Sequence, residues 1–520
     1  MESRLLSHLL DPLTYPEETR DVTLVQTHIS FLFVTDNHVY KIKKPLDLGF
    51  LNFTTLDRRR FYCEEEVRLN LRLCPGMYLG VVQIRESERG ISFQGSGRII
   101  EYAVKMRRLP ADRMLDVLLQ QDKVTGEDIR RIAAKIFRFH KSAERAVEID
   151  RYGDISVIKN NWDENFRQVE AFVGITLDRT GLGLIEGWVY RYLADNEKVF
   201  SDRVAGGFIR DCDGDIHAEN ICMEDGIYIF DCIEFNERFR YIDTAADIAF
   251  LLMDLDYHGK SGLSDIFVNE YYRETGDSGM FAVLDFYKIY RAFVRGKVES
   301  FRLNDPGMTP EEKETAGRKA RRHFRLARGY ILRKKMAPAL IIFTGLMGTG
   351  KSTLASELNF ELGLELVSSD LVRKKIAGIE PAERDFSGYD TGIYSESYNR
   401  ATYGQILKTA ENALLSGNSI IIDASFRRKR DREMFRQLAH RHGVRLYFIN
   451  TICADVLIRE RLDKRILRGG EPSDGRWELF YRQKDEFEAI TDDEGRYLVV
   501  DTSKSVDENI NSILNLLEFL

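Results

Sequence analysis

Two stretches of this chain carry residue types at spacings suited to handling phosphate. In the first, Gly345-Leu346-Met347-Gly348-Thr349-Gly350-Lys351-Ser352 follows the apolar run Ala339–Thr344 and leads into a helix from Ser352. This is the Walker A pattern in the context it requires, between a strand and a helix. Its glycines let the backbone wrap phosphates so that N–H groups point inward, and the helix N-terminus adds positive potential. In that cradle, which extends to Thr353, Lys351 reaches the terminal phosphates of a nucleoside triphosphate and the Ser352 hydroxyl ligates Mg²⁺.

Three further groups belong with this loop. Ser419–Asp423 (SIIID) reads as a buried strand whose final carboxylate, Asp423, points into a ligand crevice and suits metal holding. Ser369-Asp370 and Arg373 follow the strand Leu364–Ser368. There Asp370 can take the proton of an attacking hydroxyl, and Arg373 can orient an acceptor. Arg459, Arg461, Arg465 and Arg468 share a helix leading into the polar stretch GGEPSD. Such a lid neutralises charge on a transferring phosphoryl group, and Arg465 and Arg468 are the two assigned to it.

The second stretch is Asp213-Gly-Asp-Ile-His-Ala-Glu-Asn220, followed by Tyr228-Ile-Phe-Asp231. Asp215 and Asn220 have the D-x-x-x-x-N spacing of a kinase catalytic loop. Asp215 orients or deprotonates an acceptor hydroxyl, and Asn220 holds Mg²⁺. Asp231, ending the next apolar strand, bridges metal and phosphates. The same scheme needs a strand lysine and a helix glutamate. Val39-Tyr-Lys41-Ile-Lys43 offers the lysine, with Lys41 favoured, and Cys63-Glu-Glu-Glu66 offers the glutamate, with Glu65 favoured from the spacing of the apolar residues that follow.

The elements that must position these groups are legible around them. Ser30–Val34 and Val39–Ile42 flank the turn residues Asp36 and Asn37 as a hairpin, and Thr55 caps a helix from Leu56 to Arg72. Ile99–Met106 reads as a strand ended by Arg107–Pro110. The stretch Gly126–Lys297 is mostly helical, with a strand-rich loop region at about residues 206–235. A seam falls near Met336–Pro338. Beyond it, strands at Ala339–Thr344, Leu364–Ser368, Ser419–Asp423, Leu446–Asn450 and Tyr497–Val500 alternate with helices, which implies a parallel sheet covered on both faces. Just before the seam, Arg318–Lys335 holds nine Lys and Arg residues around an apolar stripe. That helix serves either a nucleic-acid patch or a solvated face on a docking helix. The second is favoured, because basic residues at helical spacing usually serve solubility.

On these motifs, residues 339–520 resemble small-molecule P-loop kinases of the adenylate kinase and gluconate kinase type, and also the zeta-toxin and polynucleotide 5′-kinase branches. The segments Ser368–Lys374 and Asp423–Phe426 carry that likeness. Residues 1 to about 335 resemble the aminoglycoside phosphotransferase family, through VYKIKKP, CEEEVRLN, DGDIHAEN and FDCIEF. This implies a protein-kinase-like fold, with a small lobe at about residues 1–108 and a large lobe at about 109–335. Asp243 and Asp247 match a structural helical segment of that family. Asp213 stands where the family usually has a loop-bracing histidine, and THISFLFVTDNHVYK holds no glycine-rich loop. The order of the two halves resembles bacterial proteins described as bifunctional aminoglycoside phosphotransferase/ATP-binding proteins.

Composition bounds the rest. With 520 residues, 43% of them hydrophobic, the chain is too long for one core. A net charge of −7 gives no global attraction to nucleic acid. No apolar run approaches the ~18–20 residues that span a bilayer. The N-terminus MESRLLSHLLDP lacks a signal-peptide core, and the six scattered cysteines suit a reducing cytoplasm. The expectation is therefore a mixed α/β and α+β cytoplasmic tandem kinase. Residues 1–335 and 336–520 would each bind Mg-ATP and phosphorylate small hydroxyl-bearing molecules. A polynucleotide 5′-hydroxyl kinase with a regulatory N-terminal half, and a nucleotide-sensing pseudokinase, are the alternatives.

Overall fold

The structure is a computed structural model and describes residues 2–49, 51–88, 90–380, 383, 390–468 and 473–519. The chain divides into two compact units, residues 1–327 and 328–520. The division lies some way ahead of the Met336–Pro338 seam read from composition.

The first unit opens with strands β1 (Thr23–Gln26), β2 (Ser30–Val34), β3 (His38–Lys43), β4 (Tyr78–Ser87), β5 (Gly90–Ser92) and β6 (Arg98–Arg107). They form one antiparallel sheet in the order β1-β2-β3-β6-β4-β5. The β2–β3 hairpin falls where the Asp36-Asn37 turn predicts. Helix Leu56–Asn70 packs on β4 and β6, and the Thr55 hydroxyl caps it by accepting from Arg58 N–H. Burial on the sheet follows the pleat: Phe31, Phe33, Tyr40 and Ile42 join one apolar cluster.

The rest of this unit is mainly helical, interrupted by short strands β7 (Ile209–Asp211), β8 (Ile221–Met223), β9 (Ile227–Ile229) and β10 (Tyr241–Asp243). β7 pairs with β10, and β8 with β9. The helix Thr244–Tyr257 is buried along nearly its whole length, so it is apolar on every face except for the carboxylates that grip neighbouring loops.

The second unit is built on β11 (Ala339–Thr344), β12 (Glu365–Ser368), β13 (Ile420–Asp423), β14 (Arg445–Ile452) and β15 (Arg496–Asp501), a parallel sheet in the order β12-β13-β11-β14-β15. Every residue of β11 and β13 is buried, as unbroken Val/Ile/Leu-type runs in the centre of a parallel sheet must be. Because the strand order reverses beside β11, the carboxyl ends of β11 and β13 open a crevice there.

Behind that crevice, Arg432 is fully buried. It binds both carboxylate oxygens of Glu494 at 2.6 and 3.0 Å and donates to the carbonyls of Phe426, Glu488 and Ala489. It thereby pins the loop that leaves β13, where Phe426 takes the left-handed φ of 44°. Among the described residues, no helix is long and apolar enough to cross a membrane. Replacing Arg432 by Ala strands the buried Glu494 carboxylate, so the second unit should lose about 3–5 kcal/mol. A lowered unfolding midpoint for that unit checks this.

Candidate active sites

The loop after β11 turns into the helix Lys351–Leu362 through three glycines with positive φ, at 345, 348 and 350. At Gly345 a Cβ would lie 2.5 Å from the Thr451 carbonyl oxygen, so both conformation and space demand glycine. The Lys351 ammonium folds back and donates to Leu346 O at 2.7 Å. The Thr349 hydroxyl also donates to Leu346 O (2.7 Å) and lies 2.8 Å from Thr451 Oγ1. Among the described residues, the amides of Gly348, Gly350, Lys351 and Ser352 have no acceptor in the chain. Met347 N–H donates to Gln483 Oε1 at 2.7 Å.

Met347, Gly348, Gly350, Lys351, Ser352 and Thr353 line a cavity of about 560 Å³. Gly345, Leu346 and Thr349 shape the loop behind it. The β11–β13 register sets Phe343 opposite Asp423, so Asp423 emerges next to the start of the loop. Burial pushes the Asp423 carboxyl above its ordinary range against the pull of Lys351 and Ser352. Burial likewise lowers Lys351, while Asp423 and Asp370 oppose that shift and Arg465 adds to it. Each group's charged form is therefore costly alone and supported by the other. An all-oxygen donor pair of Ser352 and Asp423 fits Mg²⁺.

Asp370, Arg373 and Arg465 line the same cavity. Asp370 lies in the first turn of the helix Ser369–Ala377. Arg373 donates to Asp370 Oδ1 (3.1 Å) and Asn399 Oδ1 (2.9 Å), with its guanidinium 4.8 Å from the Tyr394 ring centre. Of the lid arginines, Arg461 is spent on Thr502, and Arg459 lies 3.9 Å from Asp463. The Arg468 side chain and residues 469–472 lie outside the described residues. Sequence reasoning missed Gln483, Tyr394 and Arg427, which join the cavity wall from segments without a motif.

In the first unit, backbone bonds zip the two motif loops together. Phe230 N–H donates to Asn220 O at 3.1 Å and Ile233 N–H to Asp213 O at 3.2 Å. Asn220 Nδ2 donates to Asp215 Oδ2 at 3.1 Å. Asp247 braces the loop from below, accepting from Asp213 N–H, Gly214 N–H and His140 Nε2 at 3.1, 2.9 and 3.0 Å. Asp213 Oδ1 accepts from Asp215 N–H (3.2 Å), which is a brace for the loop. Burial and the Asp247 charge push the Asp213 carboxyl well up. Burial also pushes Asp215 up, but His217 and the Arg295 and Arg291 charges outweigh it and hold Asp215 below its usual range.

Asp231 has a left-handed φ of 66°, an uncommon conformation for a non-glycine residue and one that gathers at functional sites. Lys41 lies 2.5 Å from Asp231 Oδ1 and 2.8 Å from Glu66 Oε1. Here the structure corrects the sequence reading. Glu66, not Glu65, meets the strand lysines, because it is fully buried on the sheet-facing side of its helix. Glu65 turns outward to Arg68 at 2.7 Å. Lys43, also fully buried, bridges Glu66 (2.7 Å) and Glu234. Lys43 is the second of the two strand lysines the sequence offered. Glu234 was not singled out, and its i+3 offset from Asp231 is the only sequence signal for it.

The basic helix Pro310–Arg333 spends part of its charge internally. Arg325 and Arg328 are buried, and Arg328 binds Glu361 (2.6 Å) and Asn511 (2.8 Å). The buried trio His140, Cys212 and Asp247 has its polar groups engaged, His140 with Tyr271 and Asp247.

Residues 340–490 match the AAA domain family. Over 456 residues the chain is 30% identical to the uncharacterized protein Rv2004c of Mycobacterium tuberculosis, covering 87% of this chain and 88% of that one. The uncharacterized protein Mb2027c of Mycobacterium bovis matches equally. The chain belongs to their family. Family membership thus spans both units, whereas the AAA domain match is confined to the second. Among solved structures, a sugar kinase from Janibacter sp. is 20% identical, covering 35% of this chain and 96% of its own, at a TM-score of 0.28. A gluconokinase from Sinorhizobium meliloti is 18% identical, covering 35% and 92%, at 0.26.

Glu66→Ala leaves two buried lysines without their shared partner and should cost about 3–5 kcal/mol. Glu65→Ala breaks an exposed pair and should stay within about 0.5 kcal/mol. Denaturant unfolding of the two variants separates the two glutamates.

Proposed function

We propose that the second unit is an ATP-dependent phosphotransferase acting on a hydroxyl group. The observation that carries this reading is the single cavity that gathers the Lys351 loop, Asp423, Asp370 and Arg465. The amides of Gly348, Gly350, Lys351 and Ser352 seat the phosphates, and Lys351 exchanges Leu346 O for a phosphate oxygen. Ser352 and Asp423 would hold Mg²⁺, which when bound neutralises charge on the phosphates. Asp370 accepts the acceptor's proton as the hydroxyl oxygen bonds to the γ-phosphorus. The bond from that phosphorus to the β–γ bridging oxygen breaks, and ADP leaves. Arg465, which lines the same cavity, takes the stabilisation of charge on the transferring group, the part the sequence also assigned to Arg468. Positioning and fixed charge supply most of the rate in such reactions.

For the first unit we propose a second, protein-kinase-like phosphotransfer site. Lys41, held by Glu66, grips phosphates. Asn220 and Asp231 offer the oxygen donors for Mg²⁺, and Asp215 orients the acceptor. Glu66 takes the part the sequence gave to Glu65. The supporting observation is that Lys41, Glu66 and Asp231 already form one ion-paired chain beside the Asp215–Asn220 loop.

Two variants test these assignments in the full chain with γ-labelled ATP. Lys351→Ala should reduce nucleotide affinity and transfer at the second site by on the order of a hundredfold or more. Unchanged binding there would refute the phosphate cradle. Asp215→Asn should abolish transfer by the first unit and leave the second near wild type. Full turnover by Asp215→Asn in a Lys351→Ala background would leave the first unit's site without support.

A further inference from the structure

The tip of the Lys351 loop is gripped from outside the cradle. The helix Trp477–Asp485 lays Trp477 and Phe480, with ring centres 4.9 Å apart, into an apolar cluster with Leu346, Met347, Ile458 and Leu462. The fit is tight. A Cβ at Gly475 would lie 3.2 Å from Met347 Cβ, and one at Gly348 would lie 2.9 Å from Ile458 Cγ2. On the flank of the same helix, Lys484 pairs with Asp455 at 2.9 Å. The loop tip and this helix are therefore fixed against each other before any hydrogen bond between them is counted.

Trp477, Phe480 and Gln483 recur every third residue and so lie on one side of that helix. Where the stripe calls for another apolar residue, the chain has a glutamine, and it lines the cavity with Lys351, Asp370 and Arg465. Gln483 Oε1 accepts from Met347 N–H at 2.7 Å. An N–H donor can meet only the carbonyl end of a carboxamide, so this bond fixes which way round the group sits. The NH₂ end is left facing away from the Met347 amide, with no acceptor among the described residues.

In a Walker A loop the free amides cradle the inner phosphates toward the helix N-terminus, and the lysine reaches the outer ones. Here the free amides begin at Gly348, one residue after the amide that Gln483 has taken. The carboxamide therefore stands at the outer end of the cradle, on the side of the terminal phosphate. The geometry points to Gln483 as a further catalytic residue of the second unit. Its Oε1 stays on the Met347 amide, and its Nε2 donates to an oxygen of the γ-phosphoryl group as that group passes to the acceptor. No proton leaves the carboxamide. A donor oriented before the nucleotide arrives supports charge on the transferring oxygens without having to reorganise. ADP lacks the group it serves, so the contact also separates ATP from ADP. The inference rests on the phosphotransferase reading of this site.

The test uses the full chain carrying Asp215→Asn, with Lys351→Ala in the same background as the blank that defines what the second site binds. Gln483→Leu removes both ends of the carboxamide. Gln483→Glu keeps an oxygen for Met347 N–H and loses only the donor. Calorimetric titration gives the affinity for Mg-ADP alone and for Mg-ADP with aluminium fluoride, which stands in for the transferring phosphoryl group, and phosphate release is followed from γ-labelled ATP. Both variants should bind ADP as the parent chain does, bind ADP with aluminium fluoride about tenfold or more weakly, and release phosphate about a hundredfold more slowly. Parallel loss of affinity for both ligands would assign Gln483 to anchoring the loop alone, and tighter binding of either ligand would make it a plug. Each of these overturns the inference, as does parent-like behaviour of Gln483→Leu, and each leaves the kinase reading standing. A parent chain that binds no more nucleotide than its Lys351→Ala blank overturns both.

Discussion

Lys351 has few places to go. Its ammonium is drawn into a cavity by the turn it closes, loses water there, and rests on the Leu346 carbonyl of its own loop. A positive charge kept this way is stabilised by the carboxylates across the cavity, Asp423 and Asp370, and is ready for oxygens of greater negative charge. The second unit is organised around that constraint. β11 must end abruptly at Thr344, the loop must take left-handed turns at 345, 348 and 350, and β13 must run parallel so that Asp423 emerges beside the loop. Arg432 then fixes the loop beyond Asp423 from behind, with all of its bonds made inside the protein.

The first unit meets a similar demand by other means. Two lysines on one strand face, both buried, share three carboxylates drawn from a helix and from the segment after β9. Buried charges of this kind persist only when every partner is in place. The network therefore ties strand β3, helix Leu56–Asn70 and the Asp231–Glu234 segment into one arrangement. Asp247 does the equivalent for the Asp213–Asp215 loop, trading its own desolvation for two backbone amides and a histidine. In both units the residues proposed to touch reacting groups are few, and more of the buried polar chemistry goes into holding them.

The sequence shows RRKRDR after Phe426 as a basic run of the sort that usually coats a surface. In the folded unit part of that run turns into the cavity, where Arg427 pairs with Asp390 and Glu486 and Arg428 reaches Glu486 only at 4.0 Å. The basic helix before residue 336 goes the other way: Arg325 and Arg328 are drawn inside.

What could be read from the sequence was local. The Gly345–Ser352 loop, the Asp215–Asn220 spacing and the apolar strands that precede Asp423 and Asp231 are each defined within a dozen residues, where backbone geometry dictates residue type. The alternation of strands and helices after residue 338 likewise implied the parallel sheet. Choices between neighbouring residues were not local. Glu65 and Glu66 differ by about 100° around one helix, and only the sheet packed against that helix decides which is buried. Glu234 and Gln483 lie far in sequence from the groups they serve, Lys43 and the Met347 amide. Their roles exist only once the tertiary structure sets their charges and donors at short range, in a medium where an unpartnered polar group is costly.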